Sequence, residues 1–129
     1  MDLGIKGKWA ILAGSSRGLG RACAESIARE GVNVVINGRI QADVDIAVAE
    51  LTSRYGVTAI GVVGDSATSS VQDELMAACP TPDILLLNGQ GPSPKSFLDI
   101  EIEDWDAAVL QALTGPLGLV QHVVPGMKE

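Results

Sequence analysis

Short apolar runs alternate along the chain with stretches in which apolar residues recur every three or four positions. The runs predict buried β-strands, and the spaced stretches predict amphipathic helices. The predicted strands cover residues 8–13, 32–36, 57–63 and 83–87. The last run is almost purely apolar, so we expect this strand to be covered on both faces.

Four helices are predicted, one after each strand. The first covers residues 17–30, and the second is closed by Gly56. The last helix starts near Ile102, after a loop over residues 88–95 that is rich in Gly, Pro and Ser, and Pro116 is expected to distort it. The apolar residues expected to form the helix faces are Leu19, Cys23 and Ile27; Val44, Val48, Leu51 and Tyr55; Val71, Leu75 and Cys79; and Trp105, Val109, Ala112, Leu113, Leu117, Val120 and Val124.

This order of strands and helices favours a parallel sheet with right-handed crossovers. We therefore predict an α/β protein, with a doubly wound (Rossmann) parallel sheet and helices on both faces. Residues 1–129 are expected to form one domain with no second domain. The sheet is expected to be truncated after the fourth strand and the helix that follows it.

Composition narrows the classes of partner. Apolar residues make up 47% of the chain and charged residues 19%, which suits a packed core. The net charge of −7 argues against nucleic acid and anionic membranes as partners. No apolar run approaches the roughly 20 residues that span a bilayer, and the N-terminus lacks a signal-peptide pattern. Cys23 and Cys79 lack metal-ligand spacing, so we expect reduced thiols in a cytoplasmic protein without a metal site.

A glycine-rich loop joins the first strand to the first helix, with the spacing Gly14-x3-Gly18-x-Gly20. Such glycines permit a tight turn, close approach of the backbone to a pyrophosphate, and packing of the helix on the sheet. The helix N-terminus would offer free N–H groups to the phosphates. We therefore interpret residues 1–129 as a partial NAD(P)-binding domain; a glycine-rich turn without a ligand is the alternative. The candidate cofactor residues in the loop are Gly14, Ser16, Arg17, Gly18, Leu19 and Gly20.

The end of the second strand indicates which dinucleotide is bound. NAD-binding versions of this fold place an acid there for the ribose 2′-hydroxyl, but residues 37–39 are Asn-Gly-Arg. Arg39 offers a guanidinium suited to a phosphate, and Arg17 in the glycine loop offers a second cation. Together with Asn37, these residues favour NADP (NADPH) over NAD. The alternative is that both arginines are solvated surface residues.

Four stretches together resemble the short-chain dehydrogenase/reductase family, especially its 3-oxoacyl-(acyl-carrier-protein) reductases. They are the glycine loop, Asp65-Ser66 after the third strand, Leu87-Asn88-Gly89-Gln90-Gly91-Pro92 after the fourth, and the last helix from Asp104-Trp105 to Pro125-Gly126-Met127. The resemblance implies that Asp65 contacts the adenine amino group. It also implies cofactor contacts for Ser66, Asn88 and Gly89. Leu87, Gly89 and Gln90 depart from the family's usual Asn-Asn-Ala-Gly.

The resemblance also implies catalytic groups that these 129 residues do not contain. The family's catalytic Ser lies on a fifth strand and its Tyr-x-x-x-Lys on the next helix, and the chain stops before both. Ala112 stands where the family has an Asn that supports a proton relay. Tyr55 has no Lys four residues later, and His122 has no acid placed to orient it. We assign no catalytic residue, and we expect the chain alone to be inactive.

The sequence is therefore interpreted as the cofactor-binding half of an NADP-dependent short-chain oxidoreductase. The resemblance implies hydride transfer with a small carbonyl or alcohol, which the sequence does not identify. The alternative is a non-catalytic module that binds a nucleotide or forms dimers. The broad apolar stripe of the last helix predicts a homo-oligomer formed through that helix.

Overall fold

The computed structural model describes residues 1–89 and 91–129; Gln90, which the sequence places in the loop after the fourth strand, lies outside the described residues. The elements, in chain order, are β1 (Trp9–Ala13), α1 (Gly18–Arg29), β2 (Asn33–Gly38), α2 (Gln41–Tyr55), β3 (Ala59–Val63), α3 (Ser69–Ala78), β4 (Ile84–Leu87), a 3-10 turn (Phe97–Asp99), α4 (Ile102–Val109), a π turn (Leu110–Thr114) and α5 (Gly115–Met127).

The four strands form one parallel sheet in the order β3-β2-β1-β4. Ile11 of β1 lies opposite Val35 of β2 on one side and Leu85 of β4 on the other. The chain moves outward from β1 to β3 and then returns to the far side of β1. This reversal of strand order leaves a crevice at the carboxyl ends of β1 and β4.

Helices cover both faces of the sheet, which confirms the predicted doubly wound architecture. Neighbouring residues of β1 point to opposite faces, as they do along any strand. Leu12 packs in the core that includes Leu51 of α2, together with residues of α1. Ile11 packs in the second core, with Leu75 of α3 and Leu119 of α5.

The buried face of α1 consists of small residues, Gly20, Ala24 and Ala28. The predicted face is wrong at Leu19, which is 80% exposed, and at Cys23, which is also exposed, whereas Ile27 packs against the core as predicted. Small side chains at every fourth position let the helix backbone lie close to the sheet. A pattern built on the larger apolar side chains therefore pointed to a face about 100° away around the helix.

β4 lies at the edge of the sheet, and its two faces are covered only in part, less than its apolar sequence predicted: Ile84 and Leu86 pack against one core and Leu85 against the other. Ile84, Leu85 and Leu86 are half-buried, and Leu87 is exposed. Among the described residues β4 pairs with β1 alone. A strand with a single neighbour leaves one side open to solvent, so its apolar side chains are only partly covered.

The last helix is continuous over Ile102–Met127 and joins α4, the π turn and α5. The π turn ends at Thr114, two residues before Pro116, so the predicted distortion of the helix is confirmed. Proline has no N–H to donate to the preceding turn of a helix, and a π turn is one of the ways in which a helix accommodates such an interruption.

Only a narrow stripe of the last helix reaches the core, through Leu119 and Val123 of α5. The predicted apolar face lies outside it: Trp105, Leu113 and Leu117 are 52%, 54% and 52% exposed.

Within the described residues the last helix is the one helix long and apolar enough to cross a membrane, judged by length and composition alone. The sequence contained no apolar run of that length because polar residues interrupt it.

Candidate functional site

A cavity of about 570 Å³ opens at the carboxyl ends of the strands. Its size is in the range of small-molecule and cofactor sites. The structure brings together every residue that the sequence analysis proposed for cofactor binding except Gly20. The proposed residues that line the cavity are Gly14, Ser16, Arg17, Gly18, Leu19, Asn37, Arg39, Asp65, Ser66, Asn88 and Gly89.

Close packing explains two glycines of the loop. Gly14 has φ +62°, and a Cβ there would overlap the backbone carbonyl oxygen of Asn88. The side chain of Asn88 donates a hydrogen bond of 2.8 Å from Nδ2 to the carbonyl oxygen of Gly14. Gly20 is buried, and a Cβ there would overlap the same Gly14 oxygen. Gly20 therefore brings α1 against the loop and shapes the site from behind rather than lining it.

Gly18 lies at the open end of α1, where backbone can approach a ligand. Its φ is +60°, and apart from its chain neighbours and the backbone of its own helix no described atom lies within 4 Å of the point that its Cβ would occupy. The first turn of α1 carries no acidic residue, so its unpaired N–H groups and the positive end of its dipole favour an anion. Leu19, which follows, is exposed and adds an apolar surface to the lining.

Asn37, the last polar residue of β2, binds the backbone of the glycine loop, of β3 and of the residue that follows β3. It is only 2% exposed. Its Oδ1 accepts a hydrogen bond of 3.1 Å from the backbone N–H of Gly14. Its Nδ2 donates to the carbonyl oxygens of Val62 and Gly64, each at 3.1 Å. The side-chain amide is thus committed to backbone groups, and Asn37 shapes the wall of the cavity by holding the glycine loop to β2 and β3.

Two arginines at the cavity are held only loosely. Arg17 Nε lies 3.5 Å from Asp43 Oδ2, and Arg39 Nη2 lies 3.7 Å from Asp65 Oδ2. Both guanidinium side chains are about half exposed or more. Solvated ion pairs of this kind contribute little stability, so an incoming anion can displace them at low cost.

Gln111 is a site residue that the sequence analysis missed. It lies in the π turn of the last helix and lines the cavity beside Arg39 and Asp65. Its Nε2 donates a hydrogen bond of 2.6 Å to Asp65 Oδ2, and its Oε1 accepts one of 3.3 Å from Arg39 Nη2. The available signal was a single amide within the otherwise apolar run of residues 107–113.

Tyr55 and His122 are not among the residues that line the cavity in the described part of the chain. Tyr55 donates its phenolic O–H to Glu25 Oε1 at 2.7 Å. This hydrogen bond is the main cause that lowers the pKa of Glu25, and the nearby guanidinium of Arg54 lowers it further. Tyr55 is therefore engaged with Glu25 of α1, and it packs against the core that contains Leu12 and Leu51.

Comparisons with known proteins agree with the motifs. The family model described as short chain dehydrogenase matches residues 8–129. The 3-oxoacyl-(acyl-carrier-protein) reductase of Aquifex aeolicus is 30% identical over 95% of this chain and 51% of the relative. The 2-dehydro-3-deoxy-D-gluconate 5-dehydrogenase of Formosa agariphila is 32% identical over 97% of this chain and 49% of the relative.

A solved structure of a related reductase has the same fold over the length of this chain. The L-sorbose reductase from Gluconobacter frateurii, complexed with NADPH and L-sorbose, superimposes with a TM-score of 0.90. It is 31% identical, over 99% of this chain and 50% of that chain. The 129 residues therefore span about half the length of the relatives they match.

Proposed function

Because the chain belongs to the short-chain dehydrogenase family, we propose that it is the cofactor-binding half of an NADP-dependent oxidoreductase. The observation that carries this proposal is one cavity lined by the glycine loop, the N-terminus of α1 and two loosely held arginines, Arg17 and Arg39. When bound, NADPH would supply the hydride from its nicotinamide ring. The relatives named above differ in substrate, so the proposal commits to a small carbonyl or alcohol and to no particular compound.

The donor set fits a dinucleotide with a 2′-phosphate. The first turn of α1 would bind the pyrophosphate through its free N–H groups, where Gly18 leaves room for it. Arg39 at the end of β2 and Arg17 in the loop would bind the 2′-phosphate. Asp65 would accept from the adenine amino group, and Ser66, Asn88 and Gly89 would complete the walls.

The packing around Gly38 supports NADP rather than NAD. A Cβ at Gly38 would overlap the side chain of Ser16. An acidic residue at this position, which would bind the ribose hydroxyls of NAD, therefore requires Ser16 to move. The same packing leaves the neighbouring Arg39 as the charged group at the end of β2.

We propose that catalysis needs acid–base groups other than those that line this cavity. We assign no catalytic residue to the cavity, and Ala112 offers no polar group for a proton relay. General acid–base catalysis typically contributes about 10²–10⁴ in rate. We expect the 129 residues alone to bind NADPH without oxidising it. The assay measures the consumption of NADPH in the presence of a panel of ketones. Turnover of about 1 per second or faster, as in typical enzymes, would contradict this expectation.

Self-association through the last helix is a further part of the proposal. Its exposed apolar side chains, among them Trp105, Leu113 and Leu117, lie along one helix and would form a patch of the kind that monomers rarely expose. A second copy of the chain offers the same patch, so a two-fold symmetric contact would cover both.

The location of the cofactor site is tested by two matched glycine substitutions. Gly18 and Gly56 both have positive φ, +60° and +67°, with open space where a Cβ would stand, but only Gly18 lines the cavity. Alanine should therefore strain the backbone equally at both positions, by about 1–2 kcal/mol. We expect Gly18→Ala to weaken NADPH binding about tenfold or more, and Gly56→Ala to leave it unchanged. Equal effects, measured by calorimetry, would place the cofactor elsewhere.

A further inference from the structure

Gln111 is the polar side chain that the last helix contributes to the cavity. The other lining residues from this helix, among those the structure describes, are Pro116 and Leu119. The amide of Gln111 lies between the two charged side chains at the ends of β2 and β3, Arg39 and Asp65. This placement is the starting point of the inference.

Hydrogen bonds from neutral groups occupy both oxygens of Asp65. Oδ2 accepts from Gln111 Nε2 at 2.6 Å, and Oδ1 accepts from the backbone N–H of Ala67 at 3.0 Å. Arg39 Nη2 instead donates to Gln111 Oε1 at 3.3 Å. The distance from Arg39 Nη2 to Asp65 Oδ2 is 3.7 Å, which is too long for a hydrogen bond.

This geometry decides how strongly Arg39 is held. A guanidinium that bonds a carboxylate directly does so at about 2.7–2.9 Å, and such charge-assisted bonds are roughly twice as strong as neutral ones. Arg39 makes the longer bond, to a neutral amide. A phosphate that approaches Arg39 therefore has to displace a long hydrogen bond to a neutral acceptor rather than a short, direct bond to a carboxylate.

We propose that Gln111 is a positioning residue that determines NADP specificity. By occupying Asp65 Oδ2, it holds the carboxylate and Arg39 apart and keeps the guanidinium available to the 2′-phosphate. This inference rests on the proposed NADP function and deepens it. Gln111 acts through Arg39 and Asp65 and need not touch the cofactor itself.

Substitution by methionine isolates this role. Methionine is about as long as glutamine but provides neither the donor nor the acceptor of the amide. In Gln111→Met, Asp65 Oδ2 loses its neutral partner and is free to take Arg39 in a direct pair. Adding Asp65→Asn removes the carboxylate and should release Arg39 again.

The experiment measures the preference for a 2′-phosphate with two nucleotides, 2′,5′-ADP and 5′-AMP, by calorimetry. Both carry only the adenosine end of the cofactor, so the nicotinamide side of the site does not enter. We expect Gln111→Met to reduce the preference about fivefold or more while 5′-AMP binding changes less than about twofold. The double variant with Asp65→Asn should restore the preference. Gln121→Met, the same change at an exposed position of the same helix, should have no effect.

Three outcomes would overturn this inference and leave the proposed NADP function in place. Gln111→Met keeps the wild-type preference, it weakens the binding of both nucleotides equally, or Asp65→Asn does not restore its preference. Equal weakening would show a merely structural role. If the wild-type protein binds the two nucleotides equally or binds neither, the proposed NADP function fails and the inference fails with it. The wild-type measurement therefore distinguishes the two failures.

Discussion

Removal of the Asn37 side chain tests whether this residue holds the cofactor cavity in shape. Asn37→Ala deletes three hydrogen bonds, one from Gly14 N–H and two to the carbonyl oxygens of Val62 and Gly64. A hydrogen bond within a protein contributes about 0.5–1.5 kcal/mol net, and more when a partner stays buried and unpaired. Asn37 lines the cavity, so water can reach some of the freed groups. We therefore expect a loss of about 2–4 kcal/mol in the free energy of unfolding.

Such a loss is large against the total stability of a domain, about 5–15 kcal/mol. It corresponds to a fall in Tm of about 10 °C for a chain of this length. Asn33→Ala is the matched control, because Asn33 lies at the other end of the same strand. Its side chain accepts from Thr58 N–H at 2.9 Å and donates to the Gly7 carbonyl oxygen at 3.5 Å, and both bonds are exposed. This control should cost less than about 1 kcal/mol.

Urea unfolding followed by circular dichroism measures both variants. We also expect Asn37→Ala to weaken NADPH binding, because the glycine loop loses its tie to β2 and β3. The reasoning is refuted if the free energy of unfolding of Asn37→Ala lies within about 1 kcal/mol of the wild-type value, or is no lower than that of Asn33→Ala. The hydrogen bonds of the Asn37 side chain would then not hold the loop.

Two further predictions concern the thiols and the last helix. Burial raises the pKa of the Cys79 thiol, so less of the reactive thiolate is present at neutral pH, whereas Cys23 is exposed. We expect a thiol reagent to modify Cys23 quickly and Cys79 only after unfolding; similar rates for both would show that Cys79 is accessible. Replacing the exposed Leu113 and Leu117 together by serine should shift the protein toward the monomer in light scattering and change the unfolding free energy of the monomer little. A monomeric wild type, or an unchanged assembly of the variant, would rule out this face as the contact.

The order of elements and the position of the glycine loop were predictable because they depend on local patterns. Apolar runs and turn glycines fix β1, the loop and α1 in order, and the order of alternation implies a parallel sheet. Arg39 was assigned to the cofactor site from its position after β2, whereas Asp65 and Asn88 were assigned to it from the family resemblance. The structure places all three in the lining of the cavity.

The buried faces were less predictable because burial depends on which partner covers each surface. Ala24 and Ala28 carry too little apolar area to stand out in a pattern, yet they form the face on which α1 packs. The large apolar residues of the last helix do stand out, but in this structure most of them face solvent. The role of Gln111 depends on a π turn that brings its amide to Asp65, and the sequence signalled only a distortion near Pro116.

The measurement that tests the central claim most directly is calorimetry with NADPH and NADH, on the wild type and on the double variant Arg17→Ala/Arg39→Ala. Charge-assisted hydrogen bonds to a phosphate contribute about 1.5–3 kcal/mol each, less when solvated, and 1.4 kcal/mol is tenfold in affinity. We predict that the wild type binds NADPH about tenfold tighter or more, and that the double variant loses this preference while its NADH affinity changes less than about twofold. Equal affinities, tighter NADH binding, or a preference that survives the loss of both arginines would contradict the account.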